Sequence, residues 1–183
     1  AGEPGQAKIK MSANGIPLEP FDPFNKNNPA TIKHPAESFR IGRDLVWYQS
    51  FTLPHQSKIS LAEYEKYATS EGYQKTQGFY VYRGKRLIIH STWFGLAKPL
   101  PLTNLARIQI DIPNGLDAKW KINVMKSTAE LPPQVKGRLR SLISTIKGPS
   151  MDVNVGTAVK LAEKDPLPVW NRNKKPDGSI YYR

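Results

Sequence analysis

Lys126 is the residue whose place in the sequence most directly suggests chemistry. Trp120, Ile122 and Val124 alternate with polar residues, as in a strand with one buried face, and Lys126 shares their parity. At the end of such a strand its ammonium would point inward over the core edge, where burial costs desolvation unless an anion meets it. The alternative is that the register is lost by Lys126 and that its ammonium extends into water. Both interpretations stay open, and Lys121 would lie on the opposite face.

A second candidate for chemistry is the basic run that contains Arg83, Lys85 and Arg86. It interrupts an apolar stretch at a glycine, which predicts a hairpin over residues 77–89 with its turn at 83–86. Four residues of the first strand would alternate between its faces: Tyr80 and Tyr82 on one, Phe79 and Val81 on the other. Aromatic rings beside cationic side chains are typical of single-strand nucleic-acid binders. The alternative is an aromatic-rich sheet with a solvated basic turn.

The sequence lacks the residues that several other kinds of chemistry require. The chain has no Cys, so thiolate catalysis, disulfides and thiolate metal sites are excluded. His34, His55 and His90 are scattered, and no histidine or carboxylate cluster has the spacing of a metal site. Neither a nucleophile elbow nor a phosphate-binding glycine loop occurs. We therefore expect no metal site and no complete catalytic site in this sequence alone.

Charge points to an anionic partner. The 183 residues carry a formal net charge of +12, which suits nucleic acid, nucleotide phosphates or an acidic neighbouring domain. No apolar run has the length of a membrane span, and the absence of Cys agrees with a cytoplasmic location. The chain starts without Met and without an apolar leader, and it ends in a strand-like run. We expect it to be cut from a longer protein.

The central element that must position these residues is the stretch 106–133. Ile108, Ile110 and Ile112 alternate with polar residues, which predicts a strand with one buried face. A Pro-Asn-Gly turn at 113–115 and the alternating residues from Trp120 onward then predict a second, antiparallel strand.

The N-terminal half of the chain contains further patterned segments. Residues 8–20 predict a hairpin about an Asn-Gly turn, followed by a Pro- and Asn-rich loop to residue 35, and residues 39–53 predict a strand. Ser60 and Glu63 have the spacing of a capping box, so a helix should begin there, and Gly72 is a fitting stop.

The C-terminal part predicts two helices and a hairpin. Five apolar residues after Pro132-Pro133 form one helical stripe: Val135, Leu139, Leu142, Ile143 and Ile146. The Gly-Pro pair at 148–149 should end this helix, a weaker helix should span 152–164, and residues 169–183 should form a hairpin.

This order of elements predicts an α+β fold, in which helices cover one face of a mostly antiparallel sheet. The expected organisation is a hairpin and loop over 1–35, an α+β core over 36–149, and a C-terminal helix and hairpin over 150–183.

Several segments resemble a known superfamily. The run INVMKSTAELP is similar to the end of the transducer domain of GHKL ATPases, which include gyrase B, the ninety-kilodalton heat-shock chaperones, histidine kinases and MutL. The runs QGFYVYRGKRLI, ARIQIDIPN, PVWNR and IYYR, with the LDAKW–KS–ELP series, resemble bacterial ATP-binding proteins of that group. The resemblance extends over most of the chain from Asn14 onward.

The resemblance implies a fold and a function. The fold would be the ribosomal-protein-like transducer fold with a left-handed crossover. In MutL-like members an Asn-Val pair precedes a lysine that reaches the terminal phosphate of ATP. The matching pair is Asn123-Val124 and the matching lysine is Lys126, although the spacing is shorter than in MutL; Lys121 is the runner-up.

The same resemblance implies partners and cofactors. The transducer would dock on an N-terminal ATP-binding domain of the same protein, which would hold ATP and Mg²⁺ and could dimerise. The nucleotide-binding motifs of the superfamily do not occur in these 183 residues, so ATP binding by this portion alone is not expected. The alternative function is a basic nucleic-acid-binding module, and a protein-interaction scaffold is a third.

Overall fold

The computed structural model describes residues 11–18, 22–69, 71–73, 75–116, 120, 131–164, 172–174 and 180–182, and this part has the α+β fold that the sequence predicted. The strands are β1 Met11–Ala13, β2 Ile16–Leu18, β3 Ile32–Lys33, β4 Glu37–Ile41, β5 Asp44–Thr52, β6 Gly78–Arg83, β7 Arg86–Thr92, β8 Ala106–Ile112, β9 Arg172–Lys174 and β10 Ile180–Tyr182. The helices are α1 Leu61–Ala68 and α2 Pro133–Lys164. Short 3₁₀ turns lie at Gln56–Lys58, Pro101–Thr103 and Asn114–Leu116.

The main sheet is mixed and mostly antiparallel, and β8 lies at its centre. Its order is β3-β5-β8-β6-β7, with β4 also paired to β5. β3 and β4 follow one another along the outer side of β5, where they pair with its last and first halves respectively. The pair β6–β8 is parallel, whereas the other pairs of this sheet are antiparallel. The left-handed crossover stays a prediction.

The first face of the sheet, the one that carries Ile108 and Ile110, holds the main core. The strands contribute Val46, Phe79, Val81 and the isoleucines of β8, as their alternation predicted. The apolar stripe of α2 packs on this face with all five of its members buried: Val135, Leu139, Leu142, Ile143 and Ile146. Burial of this kind contributes about 1.5–3 kcal/mol for each large aliphatic side chain, so the stripe explains why the helix lies where it does.

The second face of the sheet is covered by the loop 22–31 rather than by a helix. Phe24 is buried against Phe51, Tyr80 and Tyr82, with its ring centroid 4.8 Å from that of Phe51. The side chains of Tyr80 and Tyr82 thus face away from those of Phe79 and Val81, which confirms the predicted alternation of β6.

Helix α1 begins at the predicted capping box. The Ser60 hydroxyl accepts a hydrogen bond from the Glu63 N–H at 3.2 Å. The Glu63 carboxylate, however, accepts from the side-chain amides of Asn25 and Asn28, at 2.7 and 2.6 Å, and so ties α1 to the loop 22–31. The helix ends at Thr69, whose φ of 57° breaks it, and not at Gly72 as predicted.

Three predicted hairpins are present. β1 pairs with β2 about Asn14-Gly15, where both residues have positive φ. β6 pairs with β7 about Gly84-Lys85. β9 pairs with β10 in the C-terminal region, although the predicted turn residues 175–178 lie outside the described residues.

Two strand predictions were wrong. Residues 39–53 do not form one strand: a turn at 42–43 divides them into β4 and β5, which pair with each other. Trp120 is helical and therefore does not begin a strand antiparallel to β8. The antiparallel neighbour of β8 is β5, and its other neighbour, β6, is parallel. Residues 121–124 of the expected strand lie outside the described residues.

The predicted break at residues 148–149 was also wrong, because α2 runs through Pro149 to Lys164. The Ser150 hydroxyl, buried after this proline, donates to the Leu102 carbonyl at 3.1 Å and accepts from the Leu105 N–H at 3.3 Å. These hydrogen bonds to the neighbouring segment stabilise the helix at the point where Pro149 removes a hydrogen bond within the helix. The domain divisions at residues 35 and 149 stay predictions. No helix among the described residues has the length and apolarity to cross a membrane.

Candidate functional site: the basic end of the sheet

Three connections leave the main sheet at the same end. They are the turn at 42–43 between β4 and β5, the turn Gly84-Lys85 between β6 and β7, and the segment Asn114–Leu116 after β8. The register fixes this, because Arg83 is level with Ile112 in the parallel pair and Trp47 is level with Asp111 in the antiparallel pair. We call this region the basic end, defined by Arg43, Arg83, Lys85 and Arg86.

The tight turn between β6 and β7 presents the predicted basic residues. Gly84 and Lys85 have φ of 54° and 66°, the left-handed conformation that a two-residue hairpin turn requires at both positions. Lys85 and Arg86 are exposed, and Arg83 is partly buried. The structure therefore brings the three sequence-predicted cations together on one turn.

The neighbouring connections approach one another closely. A Cβ placed on Gly84 would lie 3.9 Å from the Asn114 side-chain oxygen, and one placed on Gly115 would lie 3.6 Å from an Asp44 carboxylate oxygen. The exposed Arg43 immediately precedes Asp44. Three connections that carry four cationic residues and the Asp44 carboxylate thus converge here, and the excess of positive charge favours an anionic ligand or partner.

The candidate phosphate-contact residues belong to the chain segment that starts from this end. Lys121 and Lys126 both lie outside the described residues. The residues on either side of the segment are fixed: Leu116, Trp120 and Leu131 are all buried in the first-face core. These three residues flank the two lysines in the sequence, between the central strand and α2.

A chain of side-chain hydrogen bonds lies on the second face. It ends at Asp111, one residue before Ile112, which is level with Arg83 of the basic end. The Lys26 ammonium donates to the Gln109 side-chain oxygen at 2.9 Å, and the Gln109 amide donates to Asp111 at 2.7 Å. Burial raises the pKa of the Asp111 carboxyl, while the Gln109 hydrogen bond and the Lys26 charge oppose that rise. Burial raises the pKa of the Tyr82 phenol, and the charges of Asp22 and Asp111 add to this effect.

The aromatic residues near the basic turn are not arranged for base stacking. Tyr80 is 4% exposed and its hydroxyl donates to the Thr76 carbonyl at 2.6 Å. Tyr82 lies beneath Phe24. The large aromatic side chain that remains open on the second face is Trp47, which is 52% exposed and paired in register with Asp111.

Arg107 is a buried cation with a structural environment. Its guanidinium donates to the Asn104 and Ala106 carbonyls at 2.7 and 3.1 Å and to the Thr76 hydroxyl at 2.6 Å. It also lies 5.7 Å from the Tyr73 ring centroid. Burial lowers its pKa. These contacts join the start of β8 to the segment before β6, far along the sheet from the basic end.

The histidines do not assemble into a site. The imidazole of His34 contacts the Thr52 hydroxyl, that of His55 contacts Ser57, and that of His90 contacts Ser91. Burial lowers the pKa of both His34 and His55. Within the described ranges no group of three or more His, Asp or Glu side chains could hold a metal ion.

Comparisons with known proteins returned no relative. No family model matches the chain, and neither the curated proteins nor the solved structures gave a significant match.

The sequence patterns missed Lys26, Asp111 and Trp47. The alternation of β8 did place Gln109 and Asp111 on the face opposite the isoleucines, and a carboxylate inside a central strand was a usable signal. No local pattern links Lys26 to a strand 83 positions away.

Proposed function

We propose that this chain is the transducer domain of a GHKL-type ATPase, which docks on an ATP-binding domain and contacts the γ-phosphate through Lys126. The resemblance of INVMKSTAELP and the flanking runs to that superfamily supports the assignment. The ATP-binding domain would precede this region in the same bacterial, cytoplasmic protein, would hold ATP and Mg²⁺, and could dimerise.

The observation that carries the proposal is the position at which the central strand β8 ends. β8 ends at the basic end, and the chain then passes through the segment with Lys121 and Lys126 before it enters α2. Leu116, Trp120 and Leu131, which flank the two lysines in the sequence, are buried in the first-face core. A change at the segment can therefore be transmitted to the helix that packs on that core, which is what coupling to a nucleotide requires.

The chemistry of the proposed contact suits lysine. A primary ammonium is a compact charge on a flexible stem, so it can meet a phosphate and separate from it when the phosphate leaves. The cations of the basic end raise the local positive potential, which favours a polyphosphate or an acidic docking surface. Lys126 would stabilise charge on the transferred phosphoryl group, and comparable donors are worth on the order of 10²-fold in rate or more.

The test compares Lys126→Ala with Lys121→Ala in the full-length protein. Lys126→Ala should lower steady-state ATP turnover by about 10²-fold, with little change in the thermal midpoint. Lys121→Ala should leave turnover near that of the parent. Unchanged turnover in Lys126→Ala, or a greater loss in Lys121→Ala, would show that the phosphate contact is not made by Lys126.

A nucleic-acid-binding module is the second candidate. The exposure of Lys85 and Arg86 on a protruding turn and the net charge of +12 favour it. The burial of Tyr80 weighs against a version of this function that depends on base stacking along β6.

A further inference from the structure

Strand β7 forms the terminal strand of the main sheet. It pairs with β6 on one side, and no strand of the described residues pairs with its other side. It is seven residues long, Arg86–Thr92. An edge of this kind presents backbone N–H and C=O groups that can pair with an added strand.

The turn fixes which backbone groups of β7 point outward. Arg83 and Arg86 flank the two-residue turn and are level with each other, so their backbone groups bond across the hairpin. Leu87 is level with Tyr82 in the next pair. Its N–H and C=O therefore point away from β6, because the two kinds of pair alternate along an antiparallel ladder. Register shifts follow between Phe79 and Tyr82, so the regular edge is the half of β7 nearest the turn.

An apolar cavity of about 200 Å³ opens beside this edge on the second face. Leu87 and Ser91 of β7 line it together with Pro23 and Tyr80, and most of its accessible lining surface is apolar. Leu87 is 37% exposed, so the cavity reaches the surface along the strand. A strand added to β7 would place alternate side chains on this face, where one of them could enter the cavity.

The charges around the edge are asymmetric. Lys85 and Arg86 are exposed at the turn, whereas Glu71 is among the residues that line the cavity. A bound segment would therefore be stabilised by carboxylates next to the turn and by an uncharged apolar side chain at the cavity.

We propose that β7 binds an extended acidic peptide segment by strand addition, with one apolar side chain of the peptide in the cavity beside Leu87 and its carboxylates beside Lys85 and Arg86. An antiparallel arrangement forms the more stable ladder. In that arrangement the carboxylates lie C-terminal to the apolar residue. A second copy of this chain is the weaker occupant, since it would bring further Lys85 and Arg86 cations to the same sheet. The proposal does not involve residues 117–130 and does not depend on ATP.

The test uses a fluorescein-labelled synthetic peptide with alternating threonines, one central leucine and two glutamates on its C-terminal side. Its binding to the 183-residue chain is measured by fluorescence polarisation at physiological salt. Arg86→Glu and Lys85→Glu should each weaken binding by about tenfold, because each replaces an attraction by a repulsion. Lys33→Glu makes the same charge change on β3, at the other edge of the sheet, and should have little effect. Replacing the leucine of the peptide by alanine should weaken binding by about tenfold as well.

Amide hydrogen exchange distinguishes strand addition from attraction of an acidic peptide to a basic protein. The Leu87 amide should become protected when the peptide is added, and the Lys33 amide should not. Equal weakening by Lys33→Glu and Arg86→Glu, binding without protection at Leu87, or no binding at all would overturn the proposal. So would sedimentation of the chain alone as a dimer with its Leu87 amide already protected.

Discussion

The Lys26 ammonium donates a hydrogen bond to the Gln109 side-chain oxygen at 2.9 Å, which joins two residues 83 positions apart in the sequence. The same ammonium lies 4.8 Å from the Phe24 ring centroid and 5.3 Å from that of Phe51. The loop 22–31 is thus held on the second face by a polar bond and by cation–π contacts as well as by the burial of Phe24. The Gln109 side-chain amide in turn donates a hydrogen bond to the Asp111 carboxylate, so this chain of hydrogen bonds ends at a carboxylate under the loop.

We expect Asp111→Asn to stabilise the protein at neutral pH. Burial raises the pKa of Asp111 in the folded protein above its value in the unfolded chain, so at pH 7 the folded state holds an unfavourable charge. As pH falls through the folded pKa the carboxyl takes up a proton, and this group's contribution to stability rises; it levels off below the unfolded value of about 3.9. The thermal midpoint of Asp111→Asn should exceed that of the parent at pH 7, and the difference should shrink towards pH 4.

Asp152→Asn provides the control, because Asp152 is exposed on α2. Its thermal midpoint at pH 7 should lie within about 1–2 °C of that of the parent. A lower midpoint for Asp111→Asn at pH 7 would show that the Gln109 hydrogen bond and the Lys26 charge outweigh burial at this site.

Local signals predicted much of the fold. The Asn14-Gly15 turn, the Ser60 cap and the apolar stripe of α2 each depend on residues within a few positions of one another, and all three are present. The turn at 42–43 was missed because alternation continues on both sides of Gly42 without a strong turn pair.

The errors occur where tertiary contacts decide the structure. Pro149 ordinarily ends a helix, but Ser150 and Asn154 bond to the Leu102 carbonyl, at 3.1 and 2.9 Å, and keep α2 continuous. Trp120 has the spacing of a strand residue and is nevertheless helical and buried in the first-face core. In a short apolar run, alternation alone does not distinguish a helix from a strand.

We expect Glu63→Ala to destabilise the protein more than the loss of an ordinary surface carboxylate. Glu63 accepts from the amides of Asn25 and Asn28, and Asn25 is itself buried. Removing the carboxylate leaves a buried donor without this partner, which costs about 2 kcal/mol and lowers the thermal midpoint of a chain of this size by roughly 4–8 °C. Glu65→Ala, on the exposed surface of the same helix, should change the midpoint by no more than about 1–2 °C. Equal effects from the two substitutions would mean that the link between α1 and the loop contributes nothing.

Gly78 begins β6 in a conformation that other residues avoid. Its φ is 109°, and a Cβ would lie 2.6 Å from the Thr92 carbonyl oxygen, a backbone atom of the neighbouring strand. Gly78→Ala should therefore destabilise the protein by at least about 2 kcal/mol. Gly137→Ala makes the same change within α2, where, apart from the adjoining residues and the helix's own backbone, no atom lies within 4 Å of the new methyl group. It should raise stability by about 0.5–1 kcal/mol in a urea titration. A neutral Gly78→Ala would show that β6 and β7 can separate at this point without loss.

The candidate site was predictable in part. Arg83, Lys85 and Arg86 lie on one turn, as their spacing indicated, because a glycine between basic residues marks a hairpin. Their proximity to the connections at 42–43 and 113–116 depends on the order of the strands, which no local pattern specifies. Lys121 and Lys126 lie outside the described residues, so the phosphate contact stays a prediction.

The basic end should give the chain only weak, salt-sensitive affinity for nucleic acid. Contacts between exposed lysine and arginine side chains and phosphates release counterions, so log K should fall linearly with log salt concentration, with a slope near −0.7 for each phosphate on a single strand. We expect Lys85→Ala with Arg86→Ala to reduce the magnitude of that slope by roughly one to two, because two phosphate contacts disappear. Lys33→Ala removes one exposed cation from the other edge of the sheet and should reduce the slope less.

The measurement is fluorescence polarisation with labelled single-stranded oligonucleotides of several sequences, from low to physiological salt. Contacts to phosphates do not read the bases, so affinity should not depend on sequence, and Tyr80, buried beneath Phe24, adds no stacking to it. Tight binding that persists at physiological salt and prefers one sequence would contradict this and would favour the nucleic-acid-binding function over the transducer.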